Sequence, residues 1–194
     1  MKIACLGTSA NPPHLGHVEI ARRILKNKLV DEIWLIPCYR HAFNKKMLPW
    51  KYRWQMIKML ETPKIKACDI ESRLKQKSYT INTVLALKKH YQQHTFYWLI
   101  GSDIVFSGEY KKWKNWPRLK REIKFIVVKR TGYPLPSKLP RYFINSKTLT
   151  HRNISSTEIR RKLSQNLSIT ALVPKKIAFY LKYLKKNKLL KYKP

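Results

Sequence analysis

The residues with chemistry in their spacing come early, in "LGTSANPPHLGH" at 6–17, directly behind the apolar start "KIAC". Gly7 lets backbone approach a ligand closely, and Asn11, Pro12 and Pro13 stiffen the turn that follows. Gly16 adds little bulk where a helix begins, and the free N–H groups at that end favour an anion. His14 and His17, three apart, project to one side of a first helical turn. The stretch reads as a rigid strand-to-helix elbow holding two imidazoles: a phosphate cradle without a Walker lysine. A plain structural turn with two incidental histidines is the alternative.

A second unusual stretch, "ISSTEIR" at 154–160, lies far downstream. Ser155 and Ser156 are suited to cap a helix, with Glu158 placed as in a capping box. Hydroxyls and N-terminal amides followed one turn later by Arg160 are also what a polyphosphate needs. The same orphan N–H groups serve either purpose. We read the two stretches as halves of one phosphate site.

Short apolar runs alternating with helical patterns must position these halves. Strands are expected at 2–6, 32–37, 64–68, 95–100, 124–129 and 141–145. Helices are expected near 16–27, 50–61, 80–91, 116–122, 155–165 and 174–186. This β-α-β-α order argues for an α/β fold, a mostly parallel sheet with helices on both faces and a C-terminal helical segment over about 154–190. Ligands of such sheets bind beyond the carboxyl ends of the strands, at a switch point. The 194 residues fit a single domain. In the final "KKIAFYLKYLKKNKLLKYKP", Ile177, Leu181 and Leu184 form a helical stripe, expected to pack on the sheet with the lysines solvated rather than to lie on a membrane.

Composition limits the partners. No apolar run is long enough to cross a bilayer and the start lacks a secretory pattern, so the expected setting is cytoplasmic. Cys5, Cys38 and Cys68 are far apart and without a CxxC pair, so they are expected to be small buried hydrophobes. His90 and His94 have metal-pair spacing but no third ligand near, and are expected at a helix surface. The charge is +32, from 42 Lys plus Arg against 10 Asp plus Glu. It is mostly lysine spread along the chain, so it welcomes anions without requiring nucleic acid.

Together the two stretches resemble the nucleotidylyltransferase superfamily: "HLGH" matches its HxGH signature and "ISSTEIR" its ISSTxxR signature. Within it the chain most resembles the nicotinate (or nicotinamide) mononucleotide adenylyltransferases. "HAFNKKMLPWKYRWQM" (41–56), "SYTINTV" (78–84), "LIGSD" (99–103), "WKNW" (113–116) and "VVKRTGYP" (127–134) occur in the family's order across nearly the whole chain. The resemblance implies a Rossmann-like doubly wound sheet and transfer of AMP from ATP to a pyridine mononucleotide, with release of pyrophosphate, in NAD biosynthesis. It places His14, His17, Lys45 and Arg160 on the reacting phosphates. It gives the ATP site to Gly7, Thr8, Ser9, Gly16, Gly101, Asp103, Ile154, Ser155, Ser156 and Thr157. Asn11, Thr80, Trp113, Trp116 and Arg130 fall to the mononucleotide.

Mg²⁺, carried mainly by the ATP phosphates, leaves no ligand motif of its own. The bland reading of Asp103 is a helix N-cap, and of the tryptophans, core. The chain departs from the family's Gly-Gly-Ser/Thr-Phe opening at Thr8 and Ala10, and from its usual Gly or His at Asn44. Pantetheine-phosphate adenylyltransferases and cytidylyltransferases share the signatures but not "HAFNKK", "SYTINTV" or "WKNW". Class I aminoacyl-tRNA synthetases share the HxGH logic, but this length leaves little room for an anticodon module. A basic nucleic-acid-binding protein is the reading from another class. A homo-oligomer is compatible with the sequence, which does not specify one.

Overall fold

The computed structural model describes residues 1–150 and 154–190, and the side chains of all of these except 148–150. Six strands form one parallel sheet in the order β3-β2-β1-β4-β5-β6. They are β1 (Lys2–Thr8), β2 (Glu32–Pro37), β3 (Ile65–Ala67), β4 (Thr95–Gly101), β5 (Lys124–Arg130) and β6 (Phe143–Thr150). The chain runs outward from β1 to β3, then returns to β1's other side with β4. The switch point therefore lies between β1 and β4, where a doubly wound sheet opens a crevice.

Among the described residues eight α-helices cover the faces: α1 (Leu15–Lys26), α2 (Trp50–Lys58), α3 (Ile70–Leu74), α4 (Thr80–His90), α5 (Ser102–Ser107), α6 (Trp116–Glu122), α7 (Ser156–Ser164) and α8 (Lys175–Lys186). Alternation along the strands divides the core in two. Ala4 and Leu6 of β1 join Ile33 and Leu35 of β2 under α1, α2, α7 and α8. Ile3 and Cys5 face the other way, with Trp34 and Ile36, under α4 and α6. The expected α8 stripe is buried: Ile177, Leu181 and Leu184 are each 0% exposed. Residues 191–194, the end of that basic stretch, lie outside the described residues.

Six expected strands and six expected helices are present, with ends shifted by a few residues. The expected strand at 141–145 begins at Phe143 and extends to Thr150. Two helices were not expected: α3 and α5 span five and six residues, too short for a helical period to register. His90 and His94 do not share a helix, because α4 ends at His90. His94 instead stacks on Tyr91 and meets the edges of Trp34 and Phe96. Cys5 and Cys68 are buried as expected, whereas Cys38 is only partly buried and lines the cavity described below. Among the described residues no helix is long and apolar enough to cross a membrane.

Candidate active site

A cavity of about 670 Å³ opens at the carboxyl ends of β1 and β4. Its wall is laid by close backbone approach. A Cβ on Gly7 would stand 2.6 Å from the Trp98 ring of the neighbouring strand. One on Gly101 would stand 2.1 Å from Asp103 Oδ1 and 2.9 Å from Arg130 Nε. Neither position tolerates a side chain without something moving, which explains both glycines.

At one end of the cavity sits the histidine elbow. His14 caps α1 in an extended conformation, and its backbone N–H donates to His17 Nδ1 at 3.1 Å. In the neutral ring the proton therefore lies on Nε2, which faces Thr8 Oγ1 at 2.9 Å and donates to it. Thr8 Oγ1 also accepts from the Ala10 N–H at 3.1 Å. The two imidazole centroids are 3.8 Å apart, and His14 Nδ1 is buried with no hydrogen-bond partner among the described residues. Burial lowers the pKa of both rings. His14, held down further by His17 and Arg130, lies far below the usual range, and His17, with Arg130 as the second cause, falls to about 4. Both are neutral at pH 7.

The second signature is fastened to this elbow. Ser155 caps α7 and accepts from the Glu158 N–H at 3.1 Å, so the capping reading holds. Ser156 Oγ donates to the Pro12 carbonyl at 2.9 Å, and Arg160 Nη1 to the Asn11 carbonyl at 3.0 Å. Arg160 Nη2 also donates to Thr157 Oγ1 at 2.9 Å. Residues some 150 positions apart in sequence thus share one corner of the sheet. Ile154 reaches the cavity wall itself.

The rest of the wall is laid by Tyr79 and Thr80 at the start of α4, by Trp113, and by Arg130 with Asp103, Arg130 standing near enough to act on both histidines. Arg130 Nη1 and Asp103 Oδ2 form an ion pair at 3.0 Å. Asp103 lies in the first turn of α5, whose N-cap is Gly101, so the N-cap reading of Asp103 does not apply. Ser102, fully buried, accepts from the Arg130 N–H at 2.9 Å and donates to the Tyr133 carbonyl at 2.8 Å, fixing the loop after β5 onto α5.

The cavity wall thus contains Gly7, Thr8, Ser9, His14, Gly16, His17, Gly101, Asp103, Ile154, Thr80, Trp113 and Arg130. Lys45 is exposed in the loop after β2, yet its charge acts on Cys38 and His41, which do line the cavity. Two expected mononucleotide contacts have other duties. Asn11 is 1% exposed and its Oδ1 accepts from the Leu48 N–H at 3.0 Å, joining two loops. Trp116 is 8% exposed and packs among Tyr110, Phe125, Tyr142 and Phe143, away from the wall.

Sequence reading did not place Cys38, Glu71, Lys112 or Lys114 in the site, and all four also line the cavity. Glu71 is 6% exposed, and its carboxylate accepts from the Tyr39 N–H at 3.2 Å and the Thr83 hydroxyl at 2.8 Å. Burial raises its pKa, against the pull of those bonds. Polar residues in loops and in helices of four or five residues carry no periodic signal, and only the fold brings them to the cavity.

Residues 5–162 match the model of the cytidylyltransferase-like family. The chain belongs to that family. A Shewanella pealeana protein named "Probable nicotinate-nucleotide adenylyltransferase" is 30% identical, with 94% of each chain covered. An Oceanobacillus iheyensis protein of the same name is 35% identical, over 93% of this chain and 94% of its own. Among solved structures, a Plasmodium falciparum nicotinic acid mononucleotide adenylyltransferase complexed with NaAD superposes with a TM-score of 0.76. It covers 97% of this chain and 96% of its own at 23% identity, which speaks for the fold.

Proposed function

We propose that this chain is a nicotinate-nucleotide adenylyltransferase, moving AMP from ATP to nicotinate mononucleotide and releasing pyrophosphate. The observation that carries the reading is the continuity of one cavity from the His14–His17 elbow to Trp113 and Thr80, in a chain similar end to end to proteins of that name. Such a cavity accommodates a triphosphate at one end and a flat ring at the other.

The attacking 5′-phosphate is already an anion at neutral pH, so the reaction needs neither a general base nor a covalent intermediate. The residues align two phosphates and neutralise charge spread over the α-phosphate and the leaving pyrophosphate. A neutral His17 exchanges Thr8 for a phosphate oxygen as the acceptor of its Nε2–H, and the α1 amides face the same anion. Lys45 and Arg160 screen the β- and γ-phosphates, with Ser155, Ser156 and Thr157 lending donors at the start of α7.

Among the described residues no group of three or more His, Cys, Asp or Glu side chains could cage a metal ion. Of the carboxylates on the wall, Asp103 is paired with Arg130 and Glu71 is engaged by Tyr39 and Thr83. This donor set suits Mg²⁺ that enters on the triphosphate, held by phosphate and water, where it neutralises charge on the leaving group.

The test is pyrophosphate release from ATP and Mg²⁺ with nicotinate or nicotinamide mononucleotide, wild type beside His17→Ala. Release that requires a mononucleotide, is faster with nicotinate and is lost in the variant supports the proposal. Folded wild-type protein that releases no pyrophosphate with either one refutes it.

A further inference from the structure

Arg53, on α2, is 2% exposed and faces four backbone carbonyls. Its Nε donates to Leu48 at 2.7 Å, its Nη1 to Ser9 at 3.1 Å and to Cys38, and its Nη2 to Tyr39 at 3.2 Å. These carbonyls belong to loop residues or strand-end neighbours around the cavity. Ser9 follows Thr8 in the elbow, Cys38 and Tyr39 begin the loop after β2, and Leu48 closes it. The outward segment 40–47 therefore hangs from two ends joined by one guanidinium. That segment carries His41 and Lys45.

Other bonds complete the anchorage. The Tyr39 N–H is held by Glu71 Oε2 and by Ser78 Oγ at 2.9 Å, while the Leu48 N–H is held by Asn11 Oδ1. Carbonyl oxygens converging from three segments repel one another unless a cation with several fixed donors sits among them. The planar fork of arginine meets that need, and the single ammonium of lysine does not.

We propose that Arg53 is a positioning residue: by clamping both ends of the 38–48 loop to Ser9, it sets where Lys45 stands relative to His14 and His17. This rests on the reading that Lys45 meets the triphosphate. The guanidinium is buried behind the cavity wall rather than on it. It acts through the loop, so its loss shows in the handling of ATP more than of the mononucleotide.

The test is a double-mutant cycle on the full chain with Arg53→Lys, Lys45→Ala and both, measuring kcat and the KM of each substrate, with thermal melts alongside. Arg53→Lys is expected to lower kcat/KM for ATP by about tenfold to a hundredfold, the scale of a misplaced group. The KM for the mononucleotide stays within about twofold, and Lys45→Ala in the Arg53→Lys background costs little more. Where the lysine variant melts below the assay temperature, Arg53→Gln, which keeps N–H donors without a buried charge, goes through the same cycle. If Lys45→Ala alone impairs the enzyme and the two losses multiply, the clamp does not act through Lys45 and the proposal fails. If Lys45→Ala is silent, the role of Lys45 itself is wrong, and the proposal falls with it.

Discussion

Thr8 and His17 are joined at 2.9 Å, hydroxyl oxygen to Nε2, while His17 Nδ1 accepts from the His14 backbone. The ring is thereby held in one tautomer with its only N–H aimed along the cavity wall. In the proposed reaction a phosphate oxygen takes that N–H by displacing Thr8, which makes Thr8 a resting partner and the His14 N–H the orienting one. Thr8→Val should keep kcat within about threefold, whereas His17→Ala should lose at least about a hundredfold, as for loss of a transition-state donor. Steady-state kinetics decide this, and ¹⁵N shifts of the His17 ring should report the Nε2–H tautomer. Equal losses in the two variants would make Thr8 part of the chemistry.

The depressed histidines make stability depend on pH with a definite sign. Unfolded, each ring takes a proton near pH 6.5; folded, His17 does so only at about 4 and His14 lower still, chiefly because both are buried. Below pH 6.5 the unfolded chain therefore binds more protons, and stability falls as pH drops from 6.5 towards 4. The share due to His17 is at most about 3.5 kcal/mol, at about 1.4 kcal/mol per pH unit. Melting temperatures between pH 7.5 and 4.5 should fall less steeply in His17→Gln than in wild type. A parallel slope would show that His17 is not held neutral by the fold.

The same substitution at two glycines should have opposite signatures. A Cβ at Gly7 meets the Trp98 ring at 2.6 Å, and that ring is 5% exposed within the core. Gly7→Ala is therefore expected to cost stability, about 1–3 kcal/mol as for overpacking. A Cβ at Gly101 meets Asp103 Oδ1 and the Nε and Cδ of Arg130, side-chain atoms able to swing away rather than backbone or a packed ring. Gly101→Ala should melt near wild type but break the Asp103–Arg130 pair and raise a substrate KM by about tenfold, near the value of a hydrogen bond to a charged group. Denaturation and KM measurements on both variants separate the cases, and a stable, fully active Gly101→Ala would refute the role given to that pair.

Much of this was visible before any coordinates. Runs such as "EIWLIP" and "KFIVVK" announced strands buried on both faces, and the elbow and "ISSTEIR" announced phosphate chemistry. Their joining through Ser156 to Pro12 and Arg160 to Asn11 is a long-range fact that the motifs only implied. What stayed hidden was the destination of single side chains. Asn11 sits inside the first motif yet its side-chain Oδ1 accepts from the Leu48 N–H, and Arg53 looks like one more basic residue on an amphipathic helix. Burial and partners are set by loops that meet only in three dimensions, and no local period encodes them.

Trp113 and Trp116 make that difference measurable. Three residues apart, both were expected to offer a flat face to a pyridine. The 3₁₀ turn Glu109–Lys112 ends just before Trp113, and α6 begins at Trp116, so the backbone turns between them. Trp113 is left on the cavity wall, half-buried, its ring 6.1 Å from that of Phe125 at an interplanar angle of 64°. Trp116 is driven into the aromatic cluster, 4.8 Å from Tyr110 and 5.3 Å from Phe125 between ring centroids. Trp116→Ala should cost about 3–5 kcal/mol, as for a large core truncation, while the molecules that remain folded keep a normal KM. Trp113→Ala should melt within a few degrees of wild type and raise the KM for the mononucleotide by about tenfold, from the loss of roughly 1–1.5 kcal/mol of aromatic contact, with the KM for ATP unchanged. A Trp113→Phe variant should recover most of that loss, because a flat face is what the ring supplies. If Trp113→Ala instead raises the KM for ATP alone, Trp113 serves the adenine and not the pyridine.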